Sequence, residues 1–187
     1  MPSPRKENRA IGDRINFGYV GVLQNHKGIE DLVRAFVTVN KGRAQLLIYG
    51  EGDRLRLTKQ IPPSELQQIQ FKGIFGKAEK TAVYESIDFL IVPSRCYETF
   101  SFVAREALYY GKPVIAPAHS VFLEIVKPRE NGLLFSPLNW RSLSRTLEDV
   151  ITQNIRIDSG RIESKMPSFD EHICQLVSVY QSFENKR

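Results

Sequence analysis

The sequence predicts an α/β fold, a three-layer α/β/α sandwich around a mainly parallel sheet, and two observations carry that expectation. Short, nearly unbroken apolar runs at residues 44–49, 89–92 and 113–116 alternate with segments whose apolar residues recur at helical spacing. Glycine and proline punctuate the boundaries between them. Strands this continuously apolar, separated by amphipathic helices, require a sheet covered on both faces.

Taken in order, residues 1–14 hold two prolines and the cations Arg5, Lys6, Arg9 and Arg14 with little apolar content, and read as a linker or disordered tail ahead of one domain over residues 15–187. The first strand is expected over residues 15–23. A polar turn, Gln24-Asn25-His26-Lys27-Gly28, leads into a helix with Ile29, Leu32, Val33, Phe36 and Val37 on one stripe. Lys27 at that turn can reach a phosphate, or stand in solvent as loop lysines commonly do. The second strand, residues 44–49, runs into Gly50-Glu51-Gly52-Asp53, where glycines let backbone approach a ligand without completing a dinucleotide fingerprint. A short helix over residues 54–61 stops at Pro62-Pro63. A strand and turn over residues 70–75 precede a helix at 77–87 with Ala78, Ala82, Val83 and Ile87 inward. After the strand at 113–116, a short helix at 121–126, a turn at Asn131-Gly132 and a strand at 133–135 are expected. Helices at 140–151 and 169–183 close the chain, the latter with Ile173, Leu176, Val177 and Tyr180 inward, and residues 153–167 form a mobile connection.

The central stretch, Pro93-Ser94-Arg95-Cys96-Tyr97-Glu98-Thr99-Phe100-Ser101-Phe102, joins the strand at 89–92 to a helix expected to begin near Thr99. Glu106 then returns to nearly the same face, about 10 Å further along the axis. Two carboxylates would face one cleft beside unpaired first-turn amides, a combination suited to a phosphate and to sugar hydroxyls. Glu, Ser and Thr at a helix start also serve as ordinary capping and solvating residues. What favours a site is that Lys27, Gly50, Gly52, Glu98 and the central helix all follow carboxyl ends of strands, where parallel sheets bind ligands.

Composition bounds the function. At 187 residues, with 42% hydrophobic and 25% charged residues, the chain is long enough to bury about 70% of its unfolded surface. It contains no membrane-length apolar run and no secretory h-region, so a cytoplasmic protein is expected, with peripheral contact at the membrane's inner face also open. The net charge of +5 favours anionic partners, but the basic residues are dispersed and no nucleic-acid motif is present, so no nucleic-acid partner is expected. Cys96 and Cys174 imply neither a disulfide framework nor a zinc site. Cys96 reads as a reactive thiol beside the cleft or as a plain buried one.

With these residues in view, the chain resembles the C-terminal, donor-binding domain of the family 4 retaining glycosyltransferases of the GT-B fold, over about residues 15–180. The landmarks are Phe17-Gly18-Tyr19-Val20-Gly21 with Lys27-Gly28, Ile48-Tyr49-Gly50-Glu51-Gly52, Phe71-Lys72-Gly73, Val92-Pro93-Ser94, the pair Glu98 and Glu106, Gly111-Lys112-Pro113-Val114-Ile115, and Asn131-Gly132-Leu133-Leu134. The resemblance implies a Rossmann-like domain, one half of a GT-B fold. It implies that Lys27 binds the donor diphosphate, that Gly50 and Gly52 shape the floor of its site, and that backbone around Gly73, Ile74 and Phe75 contacts the base. Glu98 would face the transferred sugar, with Lys27 the second catalytic group. Amides of Phe100, Ser101 and Phe102 would meet the sugar or distal phosphate, and Glu106 would hold the ribose. The donor would be a UDP- or GDP-linked sugar and the acceptor a polysaccharide, glycolipid or similar molecule. No cofactor or metal is expected, in keeping with the missing Asp-x-Asp motif.

Two positions depart from the family pattern: Val22 stands where an arginine is common, and Ser101 where a glycine is usual, so that its side chain would crowd or hydrogen-bond the sugar. Family members also use two such domains, so a missing N-terminal acceptor-binding domain or partner subunit is implied, with little or no transfer by this domain alone. The alternatives are a non-catalytic nucleotide-sugar-binding or regulatory module, half of a two-subunit transferase, and a sugar-nucleotide epimerase of the same overall fold, against which the intact Glu pair argues.

Overall fold

The computed structural model describes residues 14–39, 42–59 and 61–157, together with helical backbone at 173–174, 177–178 and 181. Its centre is a six-stranded, wholly parallel sheet in the order β3-β2-β1-β4-β5-β6. The strands are β1 (Ile15–Val20), β2 (Ala44–Tyr49), β3 (Ile69–Gly73), β4 (Phe89–Ile91), β5 (Val114–Pro117) and β6 (Gly132–Phe135). The helices are α1 (Ile29–Val39), α2 (Arg54–Thr58), α3 (Lys80–Glu85), α4 (Phe102–Tyr109), α5 (Phe122–Ile125) and α6 (Trp140–Thr152).

Each strand divides its side chains between two cores because successive residues point to opposite faces. Along β2, Leu46 and Ile48 join the core that α1 and α6 cover, while Leu47 and Tyr49 join the one beneath α3, α4 and α5. Phe17 of β1 sets its ring edge-on to Phe36 of α1 at 6.4 Å. This two-sided burial is why the strands read as unbroken apolar runs.

Several expectations shift. The segment at 77–87 splits into a 3₁₀ turn, Lys77–Glu79, and α3, which changes the helical phase: Ala78 and Ala82 are exposed, and Val83, Tyr84 and Ile87 turn inward. A 3₁₀ turn at Leu66–Gln68 also precedes β3. Ile173 and Val177, expected inward, are 41% and 46% exposed, since no described element covers them. Leu176, Tyr180, the tail at 1–13 and residues 158–167 lie outside the described residues. Among the described residues no helix is long and apolar enough to cross a membrane.

The strand order reverses between β1 and β4, so the loops leaving their carboxyl ends meet. Arg95 of the second loop donates to Asn25 Oδ1 at 2.7 Å and pairs with Asp31 at 3.3 Å, while its backbone N–H reaches His26 O. Gly28 makes this approach feasible: it holds φ 72, and a Cβ placed on it would lie 1.9 Å from the carbonyl oxygen of Pro93. Gly28→Ala is expected to destabilise the domain by about 2–4 kcal/mol. Urea unfolding would register a lowered midpoint at unchanged m-value.

Candidate functional site

The crevice between the β1 and β4 loops gathers the predicted anion and sugar groups. Lys27, at the end of a 3₁₀ turn (Asn25–Lys27), places Nζ 2.9 Å from Glu98 Oε1. Ser94 Oγ donates to the same oxygen at 2.8 Å. Lys27 is therefore an ion-paired residue with a side chain 35% exposed rather than a free loop lysine, and the Glu98 side chain is 13% exposed. Both bonds fall on Oε1. The backbone of Glu98 is moored too: its N–H reaches Ser120 Oγ at 3.3 Å, and its carbonyl accepts from Val121 N–H.

Burial pushes the Glu98 carboxyl up. Hydrogen bonding from Lys27, the nearby Ser101 hydroxyl, a hydrogen bond from Ser94 and the Lys27 charge outweigh that, and hold it below its ordinary value. Ser101 helps only by proximity, for its Oγ reaches no partner at hydrogen-bond geometry. Glu98 is thus an anionic acceptor at neutral pH. Tyr19 lies close beneath: burial and then the Glu98 charge drive its phenol upward, and the protonated hydroxyl donates to Val22 O at 2.7 Å.

Glu98 and Glu106 do not share a helix face. α4 begins at Phe102 rather than near Thr99, because Ser101 adopts φ 53, ψ 77, a left-handed conformation that interrupts helical propagation. Glu98 is therefore a loop residue. Glu106 belongs to a second cluster in which Lys80 Nζ contacts Oε1 and Tyr84 Oη donates to Oε2 at 3.0 Å. Tyr84 stacks on Tyr110 with centroids 4.9 Å apart, and burial together with Glu106 raises its phenol.

The remaining predicted residues take distinct places. Gly50 holds φ 138 because its missing Cβ leaves room for the carbonyl of Gly21, 1.9 Å from where that atom would be; its N–H donates to Gly73 O. Gly52 forms a bridge to Leu23, so both glycines seat the β1 loop against the β2 loop. Ile74 is exposed at the end of β3, and Phe75 sets its ring edge-on to Tyr49 at 5.7 Å. Val22 is 40% exposed at the site, with no cation where one is common in the family. Phe100 carries the guanidinium of Arg105 over its ring at 4.3 Å, and its carbonyl accepts from Arg105 Nε. The first-turn amides of Phe102, Val103 and Ala104 have no intrahelical acceptor. Cys96 is half-buried, 3.5 Å from Ser94 Oγ. Among the described residues no cluster of three metal-ligating side chains occurs.

Lys80, Tyr84, Ser120 and Arg105 escape sequence reasoning. Only Ser94 and Tyr19, which fall inside quoted landmarks, carry a local signal.

An ionised carboxylate, an ammonium and an open helix start at the switch point of a parallel sheet define the class: a Rossmann-like domain of the GT-B glycosyltransferase type. The chain belongs to the family Glycosyl transferases group 1, whose model matches residues 2–164. It is 35% identical over 173 residues to a GDP-mannose-dependent alpha-mannosyltransferase of Mycolicibacterium smegmatis, covering 91% of this chain and 44% of that one. Its structure is similar to the sucrose-phosphate synthase of Thermosynechococcus elongatus, with TM-score 0.77 and 25% identity over 95% of this chain and 47% of that one. It also shares its fold with Anabaena HepE, solved with UDP and glucose, with TM-score 0.73 and 19% identity over 91% of this chain and 48% of that one. The chain spans less than half the length of the first curated relatives it matches.

The lowered Glu98 value has a defined sign. Its contribution to stability is present in full above the unfolded carboxylate value, about 4.3, and disappears as pH falls through the folded value. Denaturation between pH 3 and 7 is expected to show an acid-side loss that Glu98→Gln reduces, and NMR titration of Lys27→Ala is expected to show the Glu98 value rising.

Proposed function

We propose that this chain is the donor-binding domain of a retaining glycosyltransferase that moves a sugar from a UDP- or GDP-linked donor to a polysaccharide, glycolipid or similar acceptor. The observation that carries this reading is the Lys27–Glu98 pair across the switch point, facing the open start of α4. A diphosphate entering there offers Lys27 a stronger counter-charge than one carboxylate oxygen, and the α4 amides add donors along the helix dipole. Both stabilise the charge that develops on the leaving diphosphate as the bond to the sugar breaks. Glu98, acceptor-only when ionised, receives hydroxyl donors from the sugar ring.

Glu106 holds the ribose diol in this reading, with Lys80 and Tyr84 setting its orientation. Ile74 and Phe75 flank the base with the backbone of Gly73. The acceptor is supplied by an N-terminal domain or a partner subunit, and the work is done in the cytoplasm. The isolated domain then binds donor with little or no transfer. A second reading, a non-catalytic nucleotide-sugar-binding or regulatory module, draws support from Val22, which removes one phosphate cation from the site. Joining an acceptor-binding domain separates the two, since only a transferase half gains activity.

Calorimetric titration with UDP, GDP and ADP and their sugar conjugates tests the donor site. One base should be selected, and Lys27→Ala and Glu106→Ala should each weaken binding by about 10- to 100-fold, the range for losing a charged hydrogen-bonding partner. A chain that binds no nucleotide at millimolar concentration would sink the reading.

A further inference from the structure

Ser101 is the residue of this site whose chemistry the fold leaves unused. The residue is 8% exposed, and its Oγ is the one buried side-chain oxygen or nitrogen among the described residues without a hydrogen-bond partner. The hydroxyl does not cap α4, although Ser101 occupies the capping position. The residue is also held at φ 53, where glycine would sit without strain. Buried hydroxyls are almost always paired, so one left alone at the mouth of a binding crevice points to a partner that arrives from outside.

The surroundings say what that partner is. On one side lies the ionised Glu98, whose acidity Ser101 supports from close range. On the other begin the first-turn amides of α4. Phosphate oxygens need donors alone, and Lys27 with those amides already provides them. A sugar hydroxyl has different needs: it donates one proton and accepts through its lone pairs. Glu98 can only accept from it, and a donor is still wanted. The Ser101 O–H is buried, uncommitted and adjacent.

We propose that Ser101 Oγ–H donates to a hydroxyl of the donor's transferred sugar, making Ser101 a specificity-determining contact that works with Glu98. The inference rests on the donor-site reading above and adds to it the residue that distinguishes the sugar from the bare nucleoside diphosphate. A donor whose ring lacks a hydroxyl at that point leaves the Ser101 O–H unpaired and is disfavoured for that reason.

The test uses the whole chain, with Ser101→Gly and Ser101→Ala, titrated calorimetrically with UDP, GDP, UDP-glucose and GDP-mannose and followed by thermal melting. Ser101→Gly removes the orphan hydroxyl and the backbone strain, which offset the added freedom of the unfolded chain, so its Tm should hold or rise. For the conjugate that the unaltered chain binds, the ratio of its affinity to that of its diphosphate should fall about three- to tenfold in both variants, with diphosphate affinity unchanged. A ratio that stays constant overturns the sugar contact, whether the diphosphate affinity is untouched or falls in step with the conjugate. Failure of the unaltered chain to bind any diphosphate or conjugate overturns the donor-site reading and this inference together. Binding of diphosphate by the unaltered chain with no measurable binding of either conjugate overturns the sugar contact alone.

Discussion

The reversal of strand order between β1 and β4 is the constraint on which the site depends. A parallel sheet sends every connection over one of its faces, and only where the order reverses do two neighbouring loops leave the same edge in opposite directions. Here the two loops are braced against each other by Arg95 on Asn25 and Asp31 and by the close passage of Gly28 over Pro93. Lys27 and Glu98, 71 residues apart in sequence, meet because of that brace. Their pairing is only partly shielded from solvent, and such pairs contribute little to stability. Its consequence is electrostatic: an ammonium and an ionised carboxylate are held ready at the crevice without a ligand.

The start of α4 shapes the chemistry as much as the ion pair does. By entering the left-handed region, Ser101 delays the helix to Phe102 and frees Glu98 from it. The carboxylates are then positioned by unrelated means, Glu98 by two loops and the Ser120 mooring, Glu106 by Lys80 and Tyr84 of α3. A ligand that meets both would span the crevice from the loops of β1 and β4 to the exposed side of α3 and α4. That separation gives each carboxylate an independent set of partners, so a change at one site need not disturb the other.

Glycine plays a different part in the structure from the one its place after β2 suggests. Gly50 and Gly52 lie where a ligand-hugging turn is expected, yet the atoms that occupy their missing side-chain space are Gly21 O and Leu23. They allow the first two loops to nest, and so set the floor of the crevice through backbone packing.

The sequence by itself determined the parallel α/β layering, the six strand positions to within a few residues, and the placement of Lys27 and Glu98 in loops that follow strand ends. It did so because strands buried on both faces must be continuously apolar, and because chemistry-bearing residues follow strand ends. The partners those residues chose were decided by tertiary structure alone. No local pattern links Glu106 to Lys80 and Tyr84, or Glu98 to Ser120, since these contacts join elements whose separation in space depends on how the layers pack. The late start of α4 was equally illegible, for Thr99-Phe100-Ser101 is compatible with a helix, and only the folded chain shows the left-handed turn at Ser101 that separates the two carboxylates.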